Sequence, residues 1–373
     1  MGSAYTPGLT VSGDIVVRRI RRLPIKGEVL VQPGESVSHD SVVARAMLPG
    51  VLQTIKLAEK LGLEPKEAIG YFRLKVGDRV ERGQLVAETK GLFGLFRSTV
   101  SSDFTGTVEA ISDVTGNVLV REPSIPIDVT AYLNGVVAEV MDGDGAIIET
   151  RGAMVQGIFG VGGERNGPIR VAVSDREELL ESGAIQDSDV GAILIGGSGV
   201  TLDALKRASD IGVKGIVVGG IRDVDLIDFL GYDIGVAITG QENINLTLMC
   251  TEGFGYLAMA ARTFKLLSSL RGKSASINGA TQIRAGVIRP EIVVPLEAGA
   301  TGDHAEPAAL VLEPGASVRV IREPYFGRIG VVTELPPQLM VVDSGTEVRV
   351  LKAKLDTGDE VVVPRANVEI IAT

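Results

Sequence analysis

The sequence has 373 residues, of which 45% are hydrophobic and 23% are charged, and its net charge at pH 7 is −10. This length predicts two or three domains, each able to bury its own core. No apolar run reaches the roughly 18 residues that a membrane-spanning helix needs, so we expect no membrane contact. The acidic balance disfavours broad nucleic-acid binding, which relies on clustered Lys and Arg.

Cysteine and histidine are scarce. Cys250 is the single cysteine, so an internal disulfide is excluded, and the two histidines, His39 and His304, are too far apart in the sequence to indicate a Cys/His metal site. We therefore expect neither a metal nor a cofactor. The first residues lack the basic start and apolar stretch of an export signal, which favours a cytoplasmic location.

An early basic run at residues 16–24 contains Arg18, Arg19, Arg21 and Arg22. It could bind a phosphate-rich partner. Charged side chains also discourage an edge strand from pairing with another chain, and we favour this second interpretation.

The chain repeats itself near its start. Residues 30–45 align without a gap on residues 73–88, at an offset of 43, so that Gly34 matches Gly77. In each copy a glycine, for which positive φ costs little, is followed by alternating apolar residues that would line one face of a sheet. The pattern predicts two similar β units.

A helical insertion is expected between the two units, over residues 49–71. Gly62 breaks the pattern, and Pro65 is well placed to open a second short helix. The apolar residues at helical spacing are Val51, Ile55, Ala58 and Leu61.

With its closing stretch at 101–122, the doubled unit resembles a barrel-sandwich hybrid of the biotinyl/lipoyl-like kind over residues 13–150. The resemblance implies a fold rather than an activity. In carriers of this kind the modified lysine lies at a hairpin tip about a dozen residues before the glycine that corresponds to Gly106. That place falls near Leu95, and the nearest lysine, Lys90, lacks the flanking residues of a modified lysine. We therefore expect the shape without the cofactor.

The tip of this hairpin is rich in apolar side chains. Such residues predict core packing or a contact surface more readily than a ligand site. They are Leu92, Phe93, Leu95 and Phe96.

Residues 151–300 are predicted to form an α/β domain, because strand-like and helix-like segments alternate as they do around a mostly parallel sheet. Thr201 is a candidate N-cap and Gly212 a candidate stop. Helices are expected over residues 175–185, 201–212, 222–231 and 256–272.

Three glycine-rich turns follow strands of this domain, at the strand ends where an open α/β sheet could hold an anion. Their residues are Gly196, Gly197, Ser198, Gly199, Gly219, Gly220, Gly253 and Gly255. None of the turns has a known phosphate-binding motif, so we favour structural turns. Thr251, Glu252 and Arg222 are the best polar candidates for a ligand site. No acid-base pair emerges from the sequence, and Cys250, in an apolar strand, is expected to be inert.

Arg284 and Arg289 stand in an apolar stretch, and we expect them to pair with carboxylates at a domain interface. Residues 301–312 are rich in small residues and proline and are predicted to be a linker.

Residues 313–373 predict five short strands broken by turns. The stretch resembles the SH3-like barrel with a KOW motif, on the residues Gly315, Val318, Val320, Gly327, Gly330, Val331 and Val332. The resemblance implies that one loop contacts RNA or a protein through Arg322, Tyr325, Phe326 and Arg328. Residues 313–371 carry seven Lys and Arg against nine Asp and Glu, so a protein partner is favoured over nucleic acid. The sequence is equally compatible with a barrel that only packs on neighbouring domains and binds no partner.

The fold class expected is therefore multi-domain mixed α/β: a β-rich barrel-sandwich hybrid, a central α/β sheet domain and a C-terminal SH3-like β-barrel. The leading hypothesis for function is a non-catalytic cytoplasmic scaffold or assembly subunit that self-associates and docks protein partners. An enzyme or swivelling carrier domain that binds an anionic ligand at the glycine turns comes second, on a weak similarity to swivelling β/β/α domains. A transcription- or translation-associated factor that uses the KOW-like barrel comes third.

Overall fold

The structure, a computed structural model, describes residues 9–89, 97–233, 240, 242–282, 288–296, 312–320, 324–325, 328–341 and 347–370. The predicted linker lies outside these ranges except for Leu312. In the described part the chain is strand-rich, and several of its sheets curl into half-barrels. None of its helices is long and apolar enough to cross a membrane.

Thirteen strands and two short helices make up the first part of the chain. In chain order they are β1 (Val11–Arg22), β2 (Glu28–Val29), β3 (Ser36–Val37), β4 (Val42–Leu48), β5 (Leu52–Lys56), α1 (Leu57–Leu61), α2 (Pro65–Gly70), β6 (Arg79–Val80), β7 (Leu85–Glu88), β8 (Thr99–Ser101), β9 (Gly106–Ser112), β10 (Asn117–Arg121), β11 (Ile125–Thr130), β12 (Gly135–Met141) and β13 (Gly145–Gln156).

The repeat predicted from the sequence is present in the backbone. Gly34 and Gly77 both turn with positive φ, at 84° and 95°. The carboxylates of Glu35 and Asp78 each accept a hydrogen bond from the amide three residues earlier, at 2.9 and 2.7 Å. The two β units therefore begin with the same turn.

The second half of each unit also repeats, at an offset of 29 residues. Gly106 opens β9 and Gly135 opens β12, and at either glycine a Cβ atom would lie 2.2 Å from a carbonyl oxygen of the neighbouring strand. A bulge interrupts the pairing of β9 with β10 and of β12 with β13 at the matching position. We call β1–β4 with β11–β13 unit 1 and β5–β10 unit 2, so that unit 2 is inserted into unit 1 between β4 and β11.

The predicted insertion at 49–71 is only partly helical. Pro65 opens α2, and Gly62 ends α1 with a φ of 67°, as expected. Ile55, however, lies in β5 rather than in a helix, because residues 52–56 pair along β10 and bury that side chain completely.

The rest of the chain contains fifteen strands and three longer helices within the described ranges. They are β14 (Phe159–Val161), β15 (Glu164–Val171), β16 (Leu179–Leu180), β17 (Ile193–Ile195), β18 (Gly199–Val200), α3 (Leu202–Ile211), β19 (Gly215–Ile221), α4 (Asp223–Leu230), β20 (Thr247–Phe254), α5 (Ala261–Ser269), β21 (Ser274–Asn278), β22 (Glu291–Pro295), β23 (Ser317–Val320), β24 (Ile329–Glu334), β25 (Leu339–Val341), β26 (Glu347–Leu355), β27 (Glu360–Pro364) and β28 (Val368–Ile370).

The central sheet contains the expected parallel strands, in the spatial order β15, β17, β19 and β20. Antiparallel strands extend it on both sides, with β14 beyond β20 and with β21, β22, β13 and β12 beyond β15. Apolar residues of α3 and α4 join the core on one face, and those of α5 join the core on the other. Strand β13 crosses the predicted boundary between residues 150 and 151, so one sheet continues from unit 1 into the central strands. The division into three modules stays a prediction.

Two of the predicted helices show how local hydrogen bonds determine whether a helix forms. Helix α3 begins where expected, because the Thr201 hydroxyl accepts a bond from the Ala204 amide at 3.2 Å, and it ends at Gly212 with a φ of 86°. The α-helix predicted over 175–185 was wrong. The Glu178 carboxylate instead accepts bonds from the Ser174 amide and hydroxyl, both at 2.7 Å; such local bonds compete with a helix, and the segment forms β16 and a 3-10 turn.

The C-terminal strands form a separate six-stranded sheet. Its spatial order is β25, β26, β24, β23 and β28, with β27 also paired to β26. Alternate apolar side chains of β23, β24, β26, β27 and β28 converge on one core, as the alternating pattern predicted, whereas those of β25 are exposed. The sequence suggested five strands rather than six.

Candidate functional site

The three glycine-rich segments lie at the carboxyl ends of β17, β19 and β20, but only the first is a turn that follows its strand. Gly219 and Gly220 belong to β19 and Gly253 belongs to β20, so the expectation that they form turns after these strands was wrong. A Cβ atom on Gly219 would lie 1.7 Å from the carbonyl oxygen of Leu257, so residues 255–259 cross these strand ends in close backbone contact. The amides of Gly219 and Gly220 donate to carbonyls of the first turn, at 2.8 and 3.2 Å. The glycines thus allow chain segments to pack closely, and their ligand-binding role stays a prediction.

Thr251 and Arg222 have partners within the chain. The Thr251 hydroxyl donates to the Val218 carbonyl at 3.3 Å. Arg222 donates two hydrogen bonds to Asp225, at 2.8 and 2.7 Å, and its guanidinium lies 5.2 Å from the centre of the Tyr256 ring. These bonds from Arg222 lower the pKa of Asp225. Arg222 therefore anchors the chain segment that crosses the turns.

Glu252, the third polar candidate, lies in a buried charge network that joins the central sheet to the C-terminal sheet. One of its oxygens accepts a bond from Arg319 at 2.5 Å, and the other accepts from the Ala260 amide at 3.0 Å. Arg319 also donates to Glu369 at 2.7 Å, and Arg289 lies 3.2 Å from the other oxygen of Glu369. The expectation that Arg289 pairs with a carboxylate is confirmed, whereas Arg284 lies outside the described residues.

Sequence reasoning missed Arg319 and Glu369. Each stands between two apolar residues in a short strand, with Arg319 between Val318 and Val320. Both are almost completely buried. A charged residue inside an apolar strand was the available signal, because a buried charge needs a partner.

Cys250 is completely buried in β20, and burial raises the pKa of its thiol. The expectation that Cys250 is a core residue is confirmed, and its inertness stays a prediction. Within the described residues, no three His, Cys, Asp or Glu side chains converge as metal ligands would.

Several predicted contact residues lie outside the described part of the chain: Lys90, Leu92, Phe93, Leu95, Phe96, Arg322 and Phe326. Tyr325 packs against the core of the C-terminal sheet, and its carbonyl accepts a bond from the Arg328 amide at 3.0 Å. Arg328 lies 3.9 Å from Asp356.

A group of exposed apolar side chains lies where unit 2 joins unit 1. Strands β4 and β11 pair there with Leu48 opposite Ile125, and β5 follows directly. The group, which we call the apolar ribbon, consists of Met47, Leu48, Val51, Leu52 and Ile125, with 40% to 59% of each residue exposed. Exposed apolar surface commonly marks an interface.

A cleft of about 320 Å³ lies between unit 1 and the amino-terminal ends of the central parallel strands. It opens on the opposite edge of the sheet from the glycine turns. Its lining comprises His39, Asp40, Thr130, Tyr132, Glu164, Arg165, Asn166 and Lys214. No sequence motif points to this cleft, because its residues come from four separate stretches of chain.

An ion pair bridges the two sides of this cleft. Arg21 of β1 donates to both oxygens of Glu164, at 2.6 Å each, and to the Thr130 carbonyl at 2.7 Å. The Arg21 guanidinium also lies 5.4 Å from the centre of the Tyr132 ring. Tyr132 itself is buried, and burial raises the pKa of its hydroxyl well above the usual value.

Comparison of the sequence with models of known protein families finds no match, and comparison with curated proteins finds no match either.

Proposed function

We propose that the chain is a non-catalytic cytoplasmic assembly subunit, and that it binds a second copy of itself through the apolar ribbon. In this proposal residues 13–150 form a barrel-sandwich hybrid, residues 151–300 an α/β domain and residues 313–373 a KOW-like SH3-type barrel. The observation that carries the proposal is the exposure of the ribbon, because burial of apolar surface is the main driving force of protein association.

The charges that flank the ribbon favour a second copy as the partner. Arg45 donates to both oxygens of Asp128, at 2.6 and 2.7 Å, and Arg121 is likewise paired with both oxygens of Glu109. In a two-fold symmetric dimer, both copies contribute the same surface to the interface. Because these charges are already paired within one chain, two ribbons can meet there with little local repulsion, despite the net charge of −10.

The sequence repeat adds a second reason. Phe96 precedes Ile125 by the same 29 residues that separate Gly106 from Gly135. The apolar tip predicted from the sequence thus falls, by this offset, at the position in unit 2 that corresponds to the ribbon in unit 1. Two apolar segments at matching positions would give the N-terminal part a larger contact surface.

The test is the mass of the particle in solution, measured by light scattering on a chain that carries Met47→Ser, Val51→Ser and Ile125→Ser. We expect its mass to fall relative to the unsubstituted chain, with an unchanged far-ultraviolet circular dichroism spectrum. The matched control replaces three exposed apolar residues of the C-terminal sheet with serine.

The control residues are Val331, Leu339 and Val341, which are 47% to 65% exposed. The control should keep the unsubstituted mass. An equal loss of mass in both triple variants would contradict the assignment of the interface to the ribbon.

A further inference from the structure

We infer that the cleft between unit 1 and the central sheet binds a small molecule that carries an oxyanion, either a phosphate or a carboxylate group. This inference does not depend on the self-association proposed above. It rests on the charges of the cleft and on the way in which unit 1 departs there from the geometry of unit 2.

Arg165 brings a positive charge to the cleft without a carboxylate partner within the described residues. Its guanidinium donates to the Thr247 hydroxyl at 2.8 Å and to the Ile244 carbonyl at 2.5 Å. Both acceptors are uncharged, so they hold the side chain in place and leave its charge unbalanced.

Lys214 adds a second positive charge that forms no ion pair with any described residue. It immediately precedes β19, and its side chain is exposed at the cleft. Glu164 is already bound through both oxygens by Arg21, and Asp40 lies at the exposed rim with its carboxylate bonded to the Ser38 hydroxyl at 2.6 Å. Arg21 does not line the cleft, but it neutralises Glu164, so Arg165 and Lys214 face only the charge of Asp40. This leaves an excess of one positive charge for a ligand anion.

The loop that lines the cleft contains the single described non-glycine residue with positive φ, which is Tyr132 at 67°. A bulky residue in this region is strained, and such strain is concentrated at functional sites. The conformation is fixed from both sides: the Tyr132 amide donates to the His39 carbonyl at 2.9 Å, and the Ser276 hydroxyl donates to the Tyr132 carbonyl at 2.6 Å.

Unit 2 shows that the repeated fold does not require this strain. By the offset of 29 residues, Asp103 corresponds to Tyr132, and it is not among the residues with positive φ. Unit 2 instead places positive φ, 85°, on Gly83, where the missing side chain makes it inexpensive. Unit 1 has Asp40 at the place that corresponds to Gly83, so the two units diverge at residues that line the cleft.

The cleft is at the lower end of the volume range of known small-molecule sites. Asn166, His39 and Thr130 add hydrogen-bonding groups to its lining. The expected ligand is therefore compact and polar, such as a phosphorylated or carboxylated metabolite of a few carbon atoms.

Isothermal titration calorimetry on the full chain tests the inference with inorganic phosphate, glycerol 3-phosphate and malonate, each against chloride at matched ionic strength. We expect saturable 1:1 binding of at least one of them, with Kd below about 1 mM. Tighter binding of the phosphates would identify a phosphate ligand, and tighter binding of malonate would identify a carboxylate ligand.

Lys214→Gln should weaken the tightest of these probes about tenfold, as expected for loss of a charge-assisted hydrogen bond. Lys206→Gln removes the same charge from the exposed surface of α3 and should leave Kd unchanged. Arg165→Gln should also weaken binding, and its melting temperature reports whether the fold is intact. Absence of saturable binding for all three probes, or equal Kd values for Lys214→Gln and Lys206→Gln, would overturn the inference.

Discussion

Arg319 of β23 and Glu252 of β20 form a buried ion pair across 67 residues of chain, with Nη2 and Oε2 2.5 Å apart. The pair joins the C-terminal sheet to the central sheet. Glu369 is also bonded to Arg319, so removal of the arginine would leave two buried carboxylates without their main partner. Burial of an uncompensated charge is strongly unfavourable.

Arg319→Leu should therefore destabilise the chain by about 3–5 kcal/mol, measured as the shift of the urea unfolding midpoint. Arg18→Leu is the control, because Arg18 is exposed and its pair with Glu149 lies in solvent; exposed pairs contribute at most about 1 kcal/mol. If the two variants unfolded at the same urea concentration, the network would not hold the sheets together.

The Arg222–Asp225 pair predicts a pH dependence. The bonds from Arg222 lower the pKa of Asp225 in the folded chain. The stabilisation of the fold by this pair is therefore complete above the pKa of Asp in an unfolded chain, about 3.9. It is lost as the pH falls through the lower pKa of the folded chain. Asp225→Asn should lower the melting temperature at pH 7. The difference from the unsubstituted chain should shrink below about pH 4, and a difference that stays constant down to pH 3 would count against this origin.

Two glycine substitutions distinguish a glycine that close packing requires from a surface glycine that tolerates a side chain. Gly219→Ala should cost about 1–3 kcal/mol or more, because its Cβ atom would meet the Leu257 oxygen at 1.7 Å. Gly183→Ala should be nearly neutral, since no atom lies within 4 Å of the added carbon. Melting temperatures of the two variants are the measurement, and equal values would show that residues 255–259 do not cross Gly219 as described.

The purified chain should carry no lipoyl or biotinyl group. Lys90, the nearest lysine to the hairpin position, lacks the residues that flank a modified lysine. Intact mass spectrometry of chain expressed with lipoate and biotin supplied should give the mass of the unmodified sequence. An added mass of either group on Lys90 would contradict the prediction and show that the N-terminal part is a carrier.

Local signals in the sequence were the most reliable guide to the fold. Helix α3 begins after Thr201 and ends before Gly212 as expected, because capping depends on residues only a few positions apart. The match of Gly34 with Gly77 made the first half of the repeat detectable in the sequence. The second half escaped notice because little beyond Gly106 and Gly135 is shared between the matching loops, although their strand pairing is the same.

The candidate sites depend on contacts between distant parts of the chain, and these were harder to predict. Glu252 was predicted to be a polar residue at the end of an apolar strand, but its partner Arg319 lies in another sheet, and no periodicity links the two residues. The cleft was missed entirely. Tyr132 has an ordinary sequence context, and its strained conformation follows from bonds to His39 and Ser276 that only the folded chain brings together.

The central claim is that the chain binds a second copy of itself, and the mass of the unsubstituted protein tests it most directly. Light scattering coupled to size-exclusion chromatography should be run over a dilution series that reaches tens of micromolar. The account predicts twice the mass of one chain at the upper concentrations, falling towards a single mass on dilution. A mass of one chain throughout the series would contradict it.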